Sequence, residues 1–279
     1  MEIVRKSAEK PLKKLRKALK SLPGDPSAKN VHELRTQTRR LEAIADALML
    51  EKKRTTRRLM KTVTPVRKAA GGVRDMDVLV GNVLAMAQDR RDESLIRLIE
   101  HLGEQRVEGA RELRHTMSAR KKDAQRTLKD YTKLVGKQFP KKKLVMTSAA
   151  TAPAELAAEI SKWPALTEEN IHPFRIKVKQ LRYMLQLSGG GEKELVDALG
   201  KMKDEIGDWH DWQELARIAR QVLDAKSDRG ALRTIEETGK AKFGRALAAA
   251  NDLRAQYFSA PAATQKRVDR KTKPNRGKK

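Results

Sequence analysis

A twelve-residue segment of this chain recurs 140 positions later. Asn30-Val-His-Glu-Leu-Arg-Thr-Gln-Thr-Arg-Arg-Leu41 aligns with Asn170-Ile-His-Pro-Phe-Arg-Ile-Lys-Val-Lys-Gln-Leu181, so His32 meets His172, Arg35 meets Arg175 and Arg39 meets Lys179. A second pair follows in the same order at an offset of 136: Gly71-Gly-Val-Arg-Asp-Met76 lies against Gly207-Asp-Trp-His-Asp-Trp212. Arg67 superposes on Lys203 at that offset too. A single His-x-x-Arg match is weak, but two ordered pairs at nearly equal offsets point to two related halves, about 1–136 and 153–258.

The halves read as helical. Leu12, Leu15, Leu19 and Leu22 recur at helical spacing, as do Leu34, Leu41 and Leu48, and Leu95, Leu98 and Leu102, while β-branched and aromatic runs are almost missing. The expectation is an all-α protein with ten helices, at about 3–21, 31–50, 54–70, 75–88, 93–136, 153–162, 171–188, 192–206, 209–224 and 229–257. The stretch 137–153 reads as a linker, and 259–279 as a disordered basic tail. The main domain is then 1–258.

Charge narrows the function. The 62 Lys and Arg against 36 Asp and Glu leave a formal +26, of which the tail carries +7. Self-repulsion of that size works against a compact state and favours a polyanionic partner. Cysteine is absent, which excludes disulfides, thiolate nucleophiles and Cys–zinc sites. No apolar run reaches the length of a membrane span, and the first residues lack a signal-peptide core, so the expectation is a cytoplasmic protein without membrane insertion.

Stepping about 100° per residue places His32, Arg35, Arg39 and Ala43 on one stripe opposite Leu34, Leu41 and Leu48. In the second copy His172, Arg175, Lys179, Arg182 and Tyr183 share a stripe opposite Phe174, Leu181 and Leu185. A solvated helix face would mix signs. These stripes contain no acid and repeat one order of residue types, and like charges three and four apart repel, so a binding face is the favoured reading. Asn30, with Glu33 three residues on, and Asn170 are the expected helix N-caps. Those caps put both histidines in a first turn, where unpaired N–H groups favour anions. Asp75 and Asp211, expected in the first turns of helices that follow the glycines, could instead hold Arg74 or His210 for an anion. Arg67 and Lys203 are kept as further candidates because they superpose. Trp209 and Trp212 are read as core anchors.

Val31–Leu41, Val73-Arg-Asp-Met-Asp-Val78, Ile171–Tyr183 and Gly207-Asp-Trp-His-Asp211 together resemble the CHAD family (conserved histidine α-helical domain), in the family's order across nearly all of 1–258. Lys179-Gln-Leu-Arg-Tyr183 is the most specific element. The resemblance implies two four-helix bundles related by a pseudo-twofold repeat, with a basic pore or groove at their junction. It also implies binding of inorganic polyphosphate and association with polyphosphate granules. Carried over by position, the ligand-facing residues are His32, Arg35, Arg39 and Arg40, with His172, Arg175, Lys179 and Arg182. Gln180 departs from the basic residue common there. Some relatives carry a fused triphosphate-tunnel domain, for which this chain has no room, so no hydrolase activity is carried over.

The expected activity is non-catalytic polyphosphate binding, with no cofactor and no resident metal. DNA or RNA is the alternative partner, although aromatics make up 4% and no zinc-finger or ribonucleoprotein signature is present. A metal-dependent phosphohydrolase built on His32, His172, His210, Asp75 and Asp211 ranks last, because one adjacent His-Asp pair is a weak metal signal.

Overall fold

The computed structural model describes residues 2–22, 26–87, 92–139, 143–145, 151–188 and 193–258. Among them run eight α-helices: α1 (Arg5–Ser21), α2 (Ala28–Ala47), α3 (Arg54–Ala87), α4 (Glu93–Lys137), α5 (Thr151–Ser161), α6 (Ile171–Ser188), α7 (Lys193–Val222) and α8 (Arg229–Tyr257). The described residues are all-α apart from one small ribbon, in which β1 (Glu2–Val4) pairs antiparallel with β2 (Lys143–Val145), Ile3 opposite Leu144. Both strands were missed. Three residues are too few for an alternating pattern to register, and β2 falls inside the expected linker. That linker is also shorter than expected, since α5 already begins at Thr151. The tail 259–279 lies outside the described residues.

Four helices precede the ribbon's second strand and four follow it. Leu15 and Leu19 of α1, Leu34 and Leu41 of α2, Leu59 of α3 and Tyr131 of α4 meet in one core. Phe174 and Val178 of α6, Ile206 and Trp209 of α7 and Ala250 of α8 meet in a second. A third core joins the halves: Leu79 and Val83 near the end of α3 and Leu98 and Leu102 of α4 pack with Trp212 and Leu215 of α7 and Ile235 of α8. Trp209 and Trp212 are therefore core residues.

Each half contains one helix that runs through a break expected from its glycines. The sequence suggested separate helices at 54–70 and 75–88, and again at 192–206 and 209–224. Instead α3 spans 34 residues without interruption and α7 spans 30. Glycine in a helix interior costs about 0.5–1 kcal/mol relative to alanine, and here it leaves room for a neighbour. The Arg35 guanidinium lies over Gly71, and that of Arg175 over Gly207. An added Cβ would stand 3.7 Å from Arg35 Nη1 at Gly71, and only 2.7 Å from Arg175 Nη2 at Gly207. Asp75 and Asp211 consequently sit inside α3 and α7 rather than in first turns.

Helix α2 begins two residues before Asn30, with Ser27 at the N-cap position, so Asn30 is not the cap. Glu33 faces Lys14 of α1 at 3.1 Å instead of closing a capping box. Asn170 does precede α6, but its side chain turns back into the loop, accepting from Thr167 N at 2.9 Å and donating to Ala165 O at 2.8 Å.

The halves are further tied by Asp228. Its carboxylate accepts from Ser94 Oγ at 2.7 Å and Arg97 Nη2 at 2.5 Å, both in the first turns of α4, and from the Asp224 amide at 2.9 Å. These donors hold its carboxyl down at about 2.

Candidate functional site

Between the bundles lies a cavity of about 1060 Å³, lined by α2 and α3 from the first half and α5, α6 and α7 from the second. The stripe expected on α2 contributes His32, Arg35 and Arg39, and that on α6 contributes His172, Arg175 and Lys179. Helix α3 adds Arg67 and Arg74, while α7 adds Lys203 and His210. Ten of the twelve sequence candidates thus converge on one space.

The other two do not reach it. Arg182 lies against Gly200, where an added Cβ would stand 3.1 Å from its Nε, and it donates to Val196 O at 3.3 Å. It braces α6 against α7. Arg40 lines a separate cavity of about 210 Å³ between α1, α2 and α6. One residue further along α2 than Arg39 is about 100° around the helix, enough to turn it away.

The arginines over the glycines are fixed from two sides. Arg35 Nη1 donates to Gly71 O at 2.9 Å and to Asp75 Oδ1 at 2.8 Å. Arg175 Nε donates to Lys203 O at 3.1 Å, with Asp211 and Asp204 supplying negative charge nearby. Asp75 therefore holds Arg35 and not its chain neighbour Arg74, while Asp211 places its charge beside His210 and Arg175. Arg39 pairs with Glu42 at 3.0 Å, and Arg67, with 15% of its side chain exposed, approaches the same carboxylate at 3.5 Å.

The cations feel one another. Burial, with Arg175, Arg39, Lys203 and Arg35 around it, pushes the Lys179 ammonium down to about 8. Lys179 has no carboxylate partner among the described residues. Burial lowers Arg67 as well, with Arg39 adding to the effect. His32 is lowered by burial and by Arg74, and His172 by burial and by His210, whose ring centroid lies 5.8 Å away. His210 goes the other way, raised by the Asp211 carboxylate, whose Oδ1 lies 3.9 Å from its Nδ1. At neutral pH the cavity therefore holds neutral His32 and His172 beside a crowd of cationic side chains.

Acids also line the cavity, which the stripes alone did not disclose. Seven Lys or Arg side chains face it and seven Asp or Glu do so as well. Two of those acids are engaged outward: Glu159 holds Lys177 at 2.6 Å and Glu214 holds Arg217 at 2.6 Å. Glu42, three residues after Arg39, was the one legible from helical spacing; Glu155 and Glu159 enter from α5, which carries no repeat signal.

An arrangement of this kind can hold an extended anion carrying several negative oxygens, through charge-assisted N–H···O bonds from both walls. Phosphate groups suit the forked donors of Arg35 and Arg175 and the point charge of Lys179. Among the described residues no three His, Asp or Glu side chains are placed to hold a metal ion together. None of the helices is long and apolar enough to cross a membrane.

A family model, the CHAD domain, matches residues 6–223. Among solved structures, the crystal structure of the CHAD domain from the plant Ricinus communis superposes with a TM-score of 0.65 at 17% identity, covering 93% of each chain. No curated protein matches the sequence.

Proposed function

From the premise that this chain belongs to the CHAD domain family, we propose that its central cavity binds inorganic polyphosphate without catalysing a reaction on it. The carrying observation is the convergence of Arg35 and Arg39 from one half with Arg175 and Lys179 from the other on a single space. Lys179, held down at about 8 by burial and by the cations around it, supports the same reading, because an anion placed beside it would favour its charged form. Successive phosphates lie between α2 and α6, accept from the arginines and lysines, and relieve the mutual repulsion of those groups. The binding makes the protein a component of polyphosphate granules.

The test is titration of fluorescent polyphosphate against RNA of matched length at physiological salt. Polyphosphate binds more tightly, and its affinity falls steeply with added salt because bound counterions are released, as for nucleic-acid ligands. Changing Arg35, Arg39, Arg175 and Lys179 together to Ala abolishes binding and preserves helical circular dichroism. Equal affinity for RNA refutes the choice of ligand, and unchanged affinity in the quadruple variant refutes the site. Phosphate release from polyphosphate with added divalent metals would refute the non-catalytic reading.

A further inference from the structure

The two halves differ in charge. Residues 1–139 hold 34 Lys or Arg and 18 Asp or Glu, a formal +16, whereas residues 151–258 hold 17 of each. The excess of the folded part is thus carried by the first half. A cavity whose lining is balanced, seven cations to seven acids, does not account for it.

The smaller cavity lies on that side. It is bounded by Ser7, Lys10 and Pro11 of α1, by Arg40 of α2, and by Gln186 and Leu187 of α6. Ala43 and Tyr183 line both cavities, so those two side chains are the wall between them. The smaller lining contains two cations and no carboxylate. Two acids near these cations are already engaged: Lys14 holds Glu33 at 3.1 Å and Arg5 holds Glu9 at 2.7 Å. Beyond Lys10, α1 continues with exposed Lys13, Lys17 and Lys20.

We propose that a polyphosphate chain longer than the central cavity leaves it between α2 and α6, past Ala43 and Tyr183, and is held by Lys10 and Arg40 on its way across α1. This rests on the reading of the central cavity as a polyphosphate site and gives that site a direction: the chain runs out over the cationic half and not over the neutral one. Ala43 puts only a methyl group between the two cavities, and the Tyr183 hydroxyl offers a donor along the path. Two charge contacts, one from exposed Lys10 and one from half-buried Arg40, add affinity only when the ligand reaches both cavities, which makes affinity dependent on chain length.

Isothermal titration with tripolyphosphate and with long-chain polyphosphate at one salt concentration tests this. The variant Lys10→Gln/Arg40→Gln is compared with Lys240→Gln/Arg245→Gln, which removes the same charge from exposed positions on α8. The expected result is a loss on the order of fivefold for the long chain in the first variant, as two such ion pairs warrant. Tripolyphosphate affinity stays unchanged in it, and the α8 control loses less for either ligand. Equal losses in the two variants, no loss for the long chain, or an equal loss for tripolyphosphate each overturn the proposed path. The central reading fails separately, if the Arg35, Arg39, Arg175 and Lys179 variant still binds tripolyphosphate as the unmodified protein does.

Discussion

Replacing Lys179 by Met removes a charge the unliganded fold tolerates poorly while keeping most of the side chain's length. Burial and four neighbouring cations lower the ammonium from 10.5 to about 8. At about 1.36 kcal/mol per pKa unit this sets a ceiling of about 3 kcal/mol, which solvent screening of a partly exposed group reduces to roughly 1–2 kcal/mol. The sign follows from proton linkage. Between pH 8 and 10.5 the unfolded chain binds the Lys179 proton and the folded one releases it, so stability rises with pH through that window, and the full cost applies below it. Lys179→Met is therefore more stable than the parent at pH 7, with a melting temperature higher by about 2–4 °C per kcal/mol, and the gap closes as pH approaches 10.5. Thermal unfolding of both proteins at pH 7 and pH 10 measures this. With saturating polyphosphate at pH 7 the order reverses, because only the parent gains the phosphate contact. A variant no more stable than the parent at pH 7, or a gap independent of pH, refutes the claim that burial and neighbouring cations disfavour the charged form of Lys179.

Gly207→Ala pushes the Arg175 guanidinium off its seat, since the new Cβ would stand 2.7 Å from Nη2, whereas Gly71→Ala meets Arg35 at an ordinary 3.7 Å. Both variants gain helix propensity, up to about 1 kcal/mol, but only Gly207→Ala weakens polyphosphate binding, as paired unfolding and titration curves show. Because His32 and His172 are lowered from 6.5 and line the central cavity, the proposed polyphosphate binding strengthens as pH falls from 7 toward 5.5 and takes up protons. Calorimetry in buffers of different ionisation enthalpy counts those protons, and His32→Gln/His172→Gln removes most of them. In the unliganded protein the same lowered histidines destabilise the fold as pH drops below 6.5. Asp228, depressed from 3.8 to about 2, contributes stability that is present above pH 3.8 and lost as pH falls toward 2. Asp228→Asn lowers the melting temperature at pH 7 and flattens the acid limb of the stability curve.

Much of the site was legible because it is helical. The spacing of His32, Arg35 and Arg39 and of His172, Arg175 and Lys179 places each set on one face, and the leucines opposite fix which way that face points. Placing the two faces across one cavity needed the offset of 140 and the family resemblance, and the coordinates supplied the wall residues between them. What stayed hidden depends on distance in space. Gly71 and Gly207 read as helix breaks because their partners, Arg35 and Arg175, stand on other helices. Arg182 matches the cationic stripe by spacing but is drawn against Gly200, and Arg40 faces a second cavity that no local pattern announces. The strand pairing of Glu2–Val4 with Lys143–Val145 joins segments too short for periodicity and far apart in the chain.

A crystal structure with a short polyphosphate bound is the most direct measurement. The account predicts phosphate oxygens within hydrogen-bond distance of Arg35, Arg39, Arg175 and Lys179, between α2 and α6. Phosphate density confined to the outer faces of the bundles, with the space between those four side chains free of ligand, would contradict it.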